Sequence, residues 1–211
     1  MGKYAITYVK YMVLNNKLVE LAAANNAKLC NIVCQANGAP GVFRDQTWSC
    51  IFEVPMYYSN IVTLKASCDF QMVESIAQSI RGKVPIKDSF DTLQLPKSKY
   101  DKLFDAKWFV ASLTLVKRRR YRVVETMYEI NKWEKAMSDS AVAGIFNYKV
   151  LTHPAVRIIA IHRGEEIVSG CVLTRSEGVV GLSNFSFIPA SRTIIGRFAF
   201  LQRISLPGRC P

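Results

Sequence analysis

The chain has 211 residues, half of them apolar and 21% charged, with 28 Lys and Arg against 16 Asp and Glu and a net charge of +12. That balance excludes a disordered chain and leaves length for one large domain or two small ones. The positive field suits an anionic partner, whether nucleic acid, an acidic membrane or a phosphorylated cofactor.

No apolar run approaches the roughly 20 residues of a membrane span; the longest, 108–116, has nine. No apolar leader opens the sequence, and Ile6 stands where a myristoylation signal needs Ser or Thr. A soluble, cytoplasmic protein without a membrane partner is therefore expected.

In chain order, Asn15 or Asn16 caps a helix running to about Ala36, with Leu18, Leu21, Ala22, Leu29, Ile32, Val33 and Ala36 on one face. Gly38 stops it. Residues 39–63 are irregular, with short strands at 48–54 and 61–64. A second helix spans 70–80 and ends at Gly82. The polar stretch 83–100, broken by Pro85 and Pro96, marks the boundary between an N-terminal α/β lobe (1–100) and a second unit (101–211).

In the second unit, residues 105–116 give a strand and residues 117–122 (KRRRYR) a basic cluster. Thr126 and Glu129 have the spacing of a capping box, opening a helix over 126–138 with Ile130, Trp133 and Met137 on its buried face. An apolar link over 146–151 leads to residues 156–187, three apolar runs separated by Arg163-Gly164-Glu165 and Ser176-Glu177-Gly178. That is the pattern of a β-meander. Its third run, Val179–Phe187, carries Gly181, Ser183, Asn184 and Ser186, which let backbone amides face a ligand.

The six cysteines (Cys30, Cys34, Cys50, Cys68, Cys171, Cys210) are irregularly spaced in a chain large enough to fold without staples. Cys30 and Cys34 lie one helical turn apart, but no second Cys or His pair completes a metal site, so buried free thiols and no metal are expected. Cys171, mid-strand with no base spaced to serve it, reads as an inert thiol. His153 and His162 are the two histidines; His162, beside a turn, reads as exposed. Glu129 and Glu134 read as a cap and a solvated face, Glu165 and Glu166 as turn residues or a candidate general base. Trp108, Trp133, Phe185 and Phe187 fall at inward positions. Asn184, if buried, must find partners, and two roles stay open: orienting a bound group or capping the neighbouring backbone.

The helix 126–138, short link, hairpin and long Gly/Ser/Asn-bearing strand together resemble the GNAT acyltransferase superfamily over about 106–187. The resemblance rests on Tyr121-Arg122-Val123, Thr126, Trp133 to Ala136, the hairpin 158–174 with Gly170, and residues 178–185 (GVVGLSNF). It implies a GNAT-like fold, mixed α+β or α/β, with a mainly antiparallel sheet flanked by helices. The first hundred residues look similar to an N-terminal lobe of some bacterial members.

The resemblance further implies acetyl-CoA as co-substrate and a primary amine as acceptor. The strand at Val179–Phe187 would splay from its neighbour and bind the pantetheine arm at Ser183, Asn184 and Phe185. A following loop would hold the pyrophosphate on helix N-terminal amides, which places Arg192 and Gly196 in the cofactor site. Here the chain departs from the family's pattern. Arg192, Gly196 and Ala199 stand at altered offsets, with Ile195 and Arg197 where small residues admit phosphate. Residues 188–211 number 24, fewer than the roughly 28 to 30 that two helices and a strand require, so an incomplete C-terminal core is expected.

Three functions follow from these readings: an acyl-CoA-dependent N-acetyltransferase, a nucleic-acid or polyanion-binding module built on the charge and the 117–122 cluster, and a non-catalytic remnant of the acyltransferase fold. No motif fixes the acceptor or the oligomeric state.

Overall fold

The computed structural model describes residues 16–112, 121–137, 144–187 and 199–203. Helix α1 (Asn16–Ala36) buries Ala22, Ala23, Ala27, Leu29, Ile32 and Val33. It closes on a Schellman motif: the Ala39 amide donates to the Cys34 carbonyl at 2.9 Å and the Gly38 amide to that of Gln35 at 3.1 Å. Gly38 sits at φ +83°, a conformation glycine adopts without steric cost.

The first sheet contains β1 (Val42–Phe43), β2 (Thr47–Ser49), β3 (Ile61–Thr63) and β4 (Ile86–Lys87) in that order. Its pairs are antiparallel except β3 with β4, whose crossover carries helix α2 (Phe70–Gln78). The Asp69 carboxylate caps α2 by accepting from the Met72 amide at 2.7 Å. The expected strand over 48–54 stops at Ser49. Past that point the Asn60 side chain donates to the carbonyls of Cys50 and Phe52, at 2.7 and 2.8 Å, and the chain bends into a loop.

The second sheet is built from β5 (Trp108–Ser112), β6 (Arg122–Val123), β7 (Val156–Arg163), β8 (Glu166–Ser176), β9 (Val179–Phe187) and β10 (Ala199–Arg203). Its order is β5-β10-β9-β8-β7-β6, antiparallel except for β10 with β5. Helix α3 (Met127–Met137) and the single turn α4 (Tyr148–Leu151) lie between β6 and β7 in the chain. The capping box is present: the Glu129 amide donates to the Thr126 hydroxyl at 3.2 Å, and the Thr126 amide to the Glu129 carboxylate at 3.0 Å. The chain is thus a mixed α+β fold with two mostly antiparallel sheets.

Helices α1 and α3 cover the same face of the second sheet. A Cβ at Gly170 would strike Trp133 of α3, and one at Gly181 would strike Asn25 of α1. Gly181 pairs directly with Thr174, which lies four residues from Gly170 on the same strand and so shares its face. Between helices and sheet lies one apolar cluster joining Leu29, Ile32, Val33 and Trp48 to Ile130, Trp133, Ile158 and Val172. It runs through both the N-terminal hundred residues and the unit after them. No described helix is long and apolar enough to cross a membrane.

Candidate functional site

Strand β9 is held unevenly. Along one edge it pairs with β8 from Val179 to Phe187. Along the other, β10 pairs with Val179, Val180, Gly181 and Leu182, and its register stops there. The expected splay therefore does not begin at the start of the strand, which is flanked on both sides. Among the described residues, neither Ser183, Asn184 nor Ser186 has a partner from β10 beyond Leu182.

A β-bulge falls at the same point. Gly170 faces Ser186 and Val172 faces Ser183, so three residues of β9 advance against two of β8. Asn184 absorbs the extra residue at φ +50°. Asn is among the few non-glycine residues that tolerate this left-handed conformation. Its side chain is exposed, so the two roles considered for a buried Asn184 do not arise, and what this residue contributes is a backbone shape. Ser183 and Phe185 flank it, both half-buried. Arg192 and Gly196 lie outside the described residues.

The other end of β9 is clamped from above by α1. Asn25, 2% exposed, donates to the Thr174 carbonyl at 2.9 Å and to the Ser176 hydroxyl at 2.8 Å. The same side chain lies against Gly181. The strand is thus fixed at Val179–Leu182, and its described pairing with β10 ends where the bulge begins.

The candidate bases are placed as follows. His162 stands at a register shift in β7 and is half-buried, not exposed as expected; its Nδ1 finds no hydrogen-bond partner among the described residues. It lies at the same end of the sheet as Phe187, because Ile161, Ser169 and Phe187 stand opposite one another across β7, β8 and β9. Two strand spacings, about 10 Å, separate β7 from β9, too far for direct proton transfer to a group on the β9 edge. Glu165 and Glu166 are exposed at the hairpin turn.

Glu134 corrects the expectation of a solvated face. It is 5% exposed, and its carboxylate accepts from the Gly144 amide at 2.7 Å and the Phe146 amide at 2.8 Å. It anchors the loop before α4 and is not available as a base.

Five cysteines, all but Cys210 (which lies outside the described residues), are buried and free. Burial pushes the thiols of Cys30, Cys68 and Cys171 up to about 11, so they stay protonated and unreactive at neutral pH. No cluster of His, Cys, Asp and Glu able to hold a metal occurs among the described residues. Of the core aromatics expected, Trp133 is buried and Trp108 half-buried. Tyr121 and Arg122 are exposed at β6, and residues 117–120 of the basic cluster lie outside the described residues.

His153 gives a pH-dependent contribution. Its Nδ1 accepts from the Ala155 amide at 3.1 Å, which requires the unprotonated nitrogen. Burial and then the Lys28 charge hold its pKa below the usual histidine value. The unfolded chain therefore binds more protons than the folded one, so stability is complete above about pH 6.5 and falls as pH drops through the histidine range. Chemical denaturation between pH 7.5 and 5 should show this decline, and His153→Gln should flatten it.

No protein-family model, curated protein or solved structure matches the chain.

Proposed function

We propose that the chain is an acyl-CoA-dependent N-acetyltransferase of GNAT type, moving an acetyl group from acetyl-CoA to a primary amine. The observation that carries this reading is the bulge at Asn184, together with the end of β10 pairing at Leu182. The pantetheine arm is a chain of amides, and it suits an edge of strand that offers backbone N–H and C=O groups at strand spacing. The backbone of Ser183, Asn184 and Ser186 forms such an edge among the described residues. The element order supports the same reading, with a short strand, two helices and a three-stranded meander.

Acetyl-CoA, when bound, supplies an acetyl group activated as a thioester. The chain's own part is positional. Clamping by Asn25 and β10 fixes the start of β9, so the edge after Leu182 is set before any ligand arrives. An amide of that edge, aimed at the carbonyl oxygen, stabilises the charge developing there. With His162 two strands away, the proton leaving the amine travels by a relay.

Thermal unfolding with acetyl-CoA and, separately, adenosine tests the proposal. At a hundredfold excess over Kd, a ligand adds about 2.7 kcal/mol, which in a domain of this size raises Tm by about 5–10 °C. Acetyl-CoA should produce that rise and adenosine should not. An unchanged Tm at millimolar acetyl-CoA would refute the acyltransferase reading. If a single-stranded oligonucleotide alone raised Tm, in a salt-sensitive way, polyanion binding would replace it.

A further inference from the structure

Exposed apolar side chains are gathered in one stretch of the N-terminal hundred residues. Val42, Phe43, Ile51, Phe52, Met56 and Tyr57 are each between 44% and 58% exposed. Eleven large apolar residues are exposed among the described ones, and these six fall within residues 42–57. Exposed apolar residues scattered singly are ordinary, whereas a cluster of them marks a surface that something covers.

The chain builds this patch on firm supports. Val42 and Phe43 form β1, the end strand of the first sheet among the described residues, opposite Ser49 and Trp48 of β2. The loop leaving β2 begins at Cys50, whose Sγ donates to the Ala39 carbonyl at 3.3 Å, close to the start of β1. Buried Asn60 then holds the carbonyls of Cys50 and Phe52. Val54 and Tyr58 turn inward onto the core, which leaves Ile51, Phe52, Met56 and Tyr57 facing out.

A second observation falls on the same loop. The Tyr58 amide donates to the Pro55 carbonyl at 3.0 Å, closing a β-turn over residues 55–58. Tyr57 takes its third position at φ +72°, the left-handed value that glycine or asparagine ordinarily supplies in a type II turn. A bulky residue held there lowers stability, and such strain clusters where it serves a function. Here it sets out an aromatic ring on a residue that stays 56% exposed.

We propose that this patch is a self-association surface, covered by the same patch of a second copy around a two-fold axis. Area supports a second copy. Half-exposed side chains of this size leave about 100 Å² each to cover, so two patches face to face bury about 1,200 Å², the lower end of a specific interface. Charge supports it too. Residues 40–58 hold Arg44 against Asp45 and Glu53, one positive charge against two negative, a net −1 in a chain of +12. An anionic membrane or a nucleic acid finds no excess of cations here, while the patch can meet itself without strong like-charge repulsion. Such isologous contact is the commonest arrangement of soluble oligomers. No residue of β9 takes part, so the proposal does not rest on the acyltransferase reading.

Sedimentation equilibrium of the full chain tests it over about 1–100 μM, where the weaker interfaces of this size associate. The mass should rise from monomer to dimer across that range. Copies that each carry +12 repel one another, so raising salt from about 50 to about 500 mM should tighten the dimer about threefold or more. Hydrogen exchange of the amides over 51–58 should be slower at the high protein concentration than at the low one.

Tyr57→Gly suits the turn and removes the ring, and Ile51→Lys puts a charge into the covered surface. Each should weaken dimerisation at least tenfold. A monomer throughout the range would overturn the proposal, as would a dimer whose amides over 51–58 exchange as fast as in the monomer. Undiminished dimerisation in both folded variants would also overturn it. So would a wild-type monomer that sediments instead with phosphatidylserine vesicles. The wild-type readouts stand even where a variant fails to fold.

Discussion

Gly170→Ala should lower stability by about 2–3 kcal/mol, at the upper end of what overpacking one methyl group costs, and lower Tm by about 5–10 °C. A Cβ at this position would lie 2.3 Å from Trp133 Nε1 and 2.8 Å from the Ile159 carbonyl oxygen. Neither atom has room to retreat. Trp133 is 2% exposed, donates to that same carbonyl at 3.0 Å, and meets Phe146 edge-on with centroids 5.6 Å apart. Moving the indole breaks its hydrogen bond inside the core, where an unmet donor costs about 1–3 kcal/mol. Urea denaturation of four proteins checks the cause: wild type, Gly170→Ala, Trp133→Phe and the double variant. Trp133→Phe removes the clashing nitrogen, so Gly170→Ala should cost at least about 1 kcal/mol less in that background. An equal cost in both backgrounds would mean that the clash is not with the indole.

The parts of this fold legible in the sequence are those fixed by local chemistry. The helix up to Ala36 follows from its apolar period, its Gly38 stop and the two turns of the meander from glycines at positive φ, and the Thr126–Glu129 box from side chains that satisfy neighbouring backbone. The strands β4 and β10 were not legible. Two residues of β4 and five of β10 carry no period of their own, and their pairing partners lie far off in the chain: Ile61 for Ile86, and Trp108 for Ala199. Glu134 was misread for a related reason. On a helix its position looks solvated, and only the loop over 144–146 returning to it shows that it is a buried acceptor.

The candidate site divides in the same way. The small and polar residues of β9 marked the strand that carries the bulge, because an Asn inside an apolar run has few local explanations. The point where the described pairing of β10 with β9 ends was not legible, since it depends on the register of a strand that the sequence does not announce. Adjacent asparagines on α1 show how much such distant pairing decides: Asn25 bonds the second sheet at Thr174, while Asn26 accepts from Lys87 of the first. Nothing in the sequence separates their two roles.

If the bulge at Asn184 shapes the acyl-donor edge through its backbone, glycine and valine at that position should behave oppositely. Asn184→Gly suits φ +50° and should leave stability within about 0.5 kcal/mol. It should also preserve the acetyl-CoA-dependent rise in Tm. Asn184→Val forces a β-branched residue into the left-handed region at a cost of about 1–2 kcal/mol. Relief of that strain means flattening the bulge, which turns the amides beyond Leu182 away from their present direction. Acetyl-CoA affinity should then fall at least about tenfold, or about 1.4 kcal/mol, by isothermal titration on the folded variant. Loss of binding in Asn184→Gly with the fold intact would place recognition in the exposed side chain. Undiminished binding in a folded Asn184→Val would leave the bulge without a part in it. Since the side chain is exposed and the backbone departs from strand geometry here, tolerance of glycine and intolerance of valine is the pattern that the edge requires.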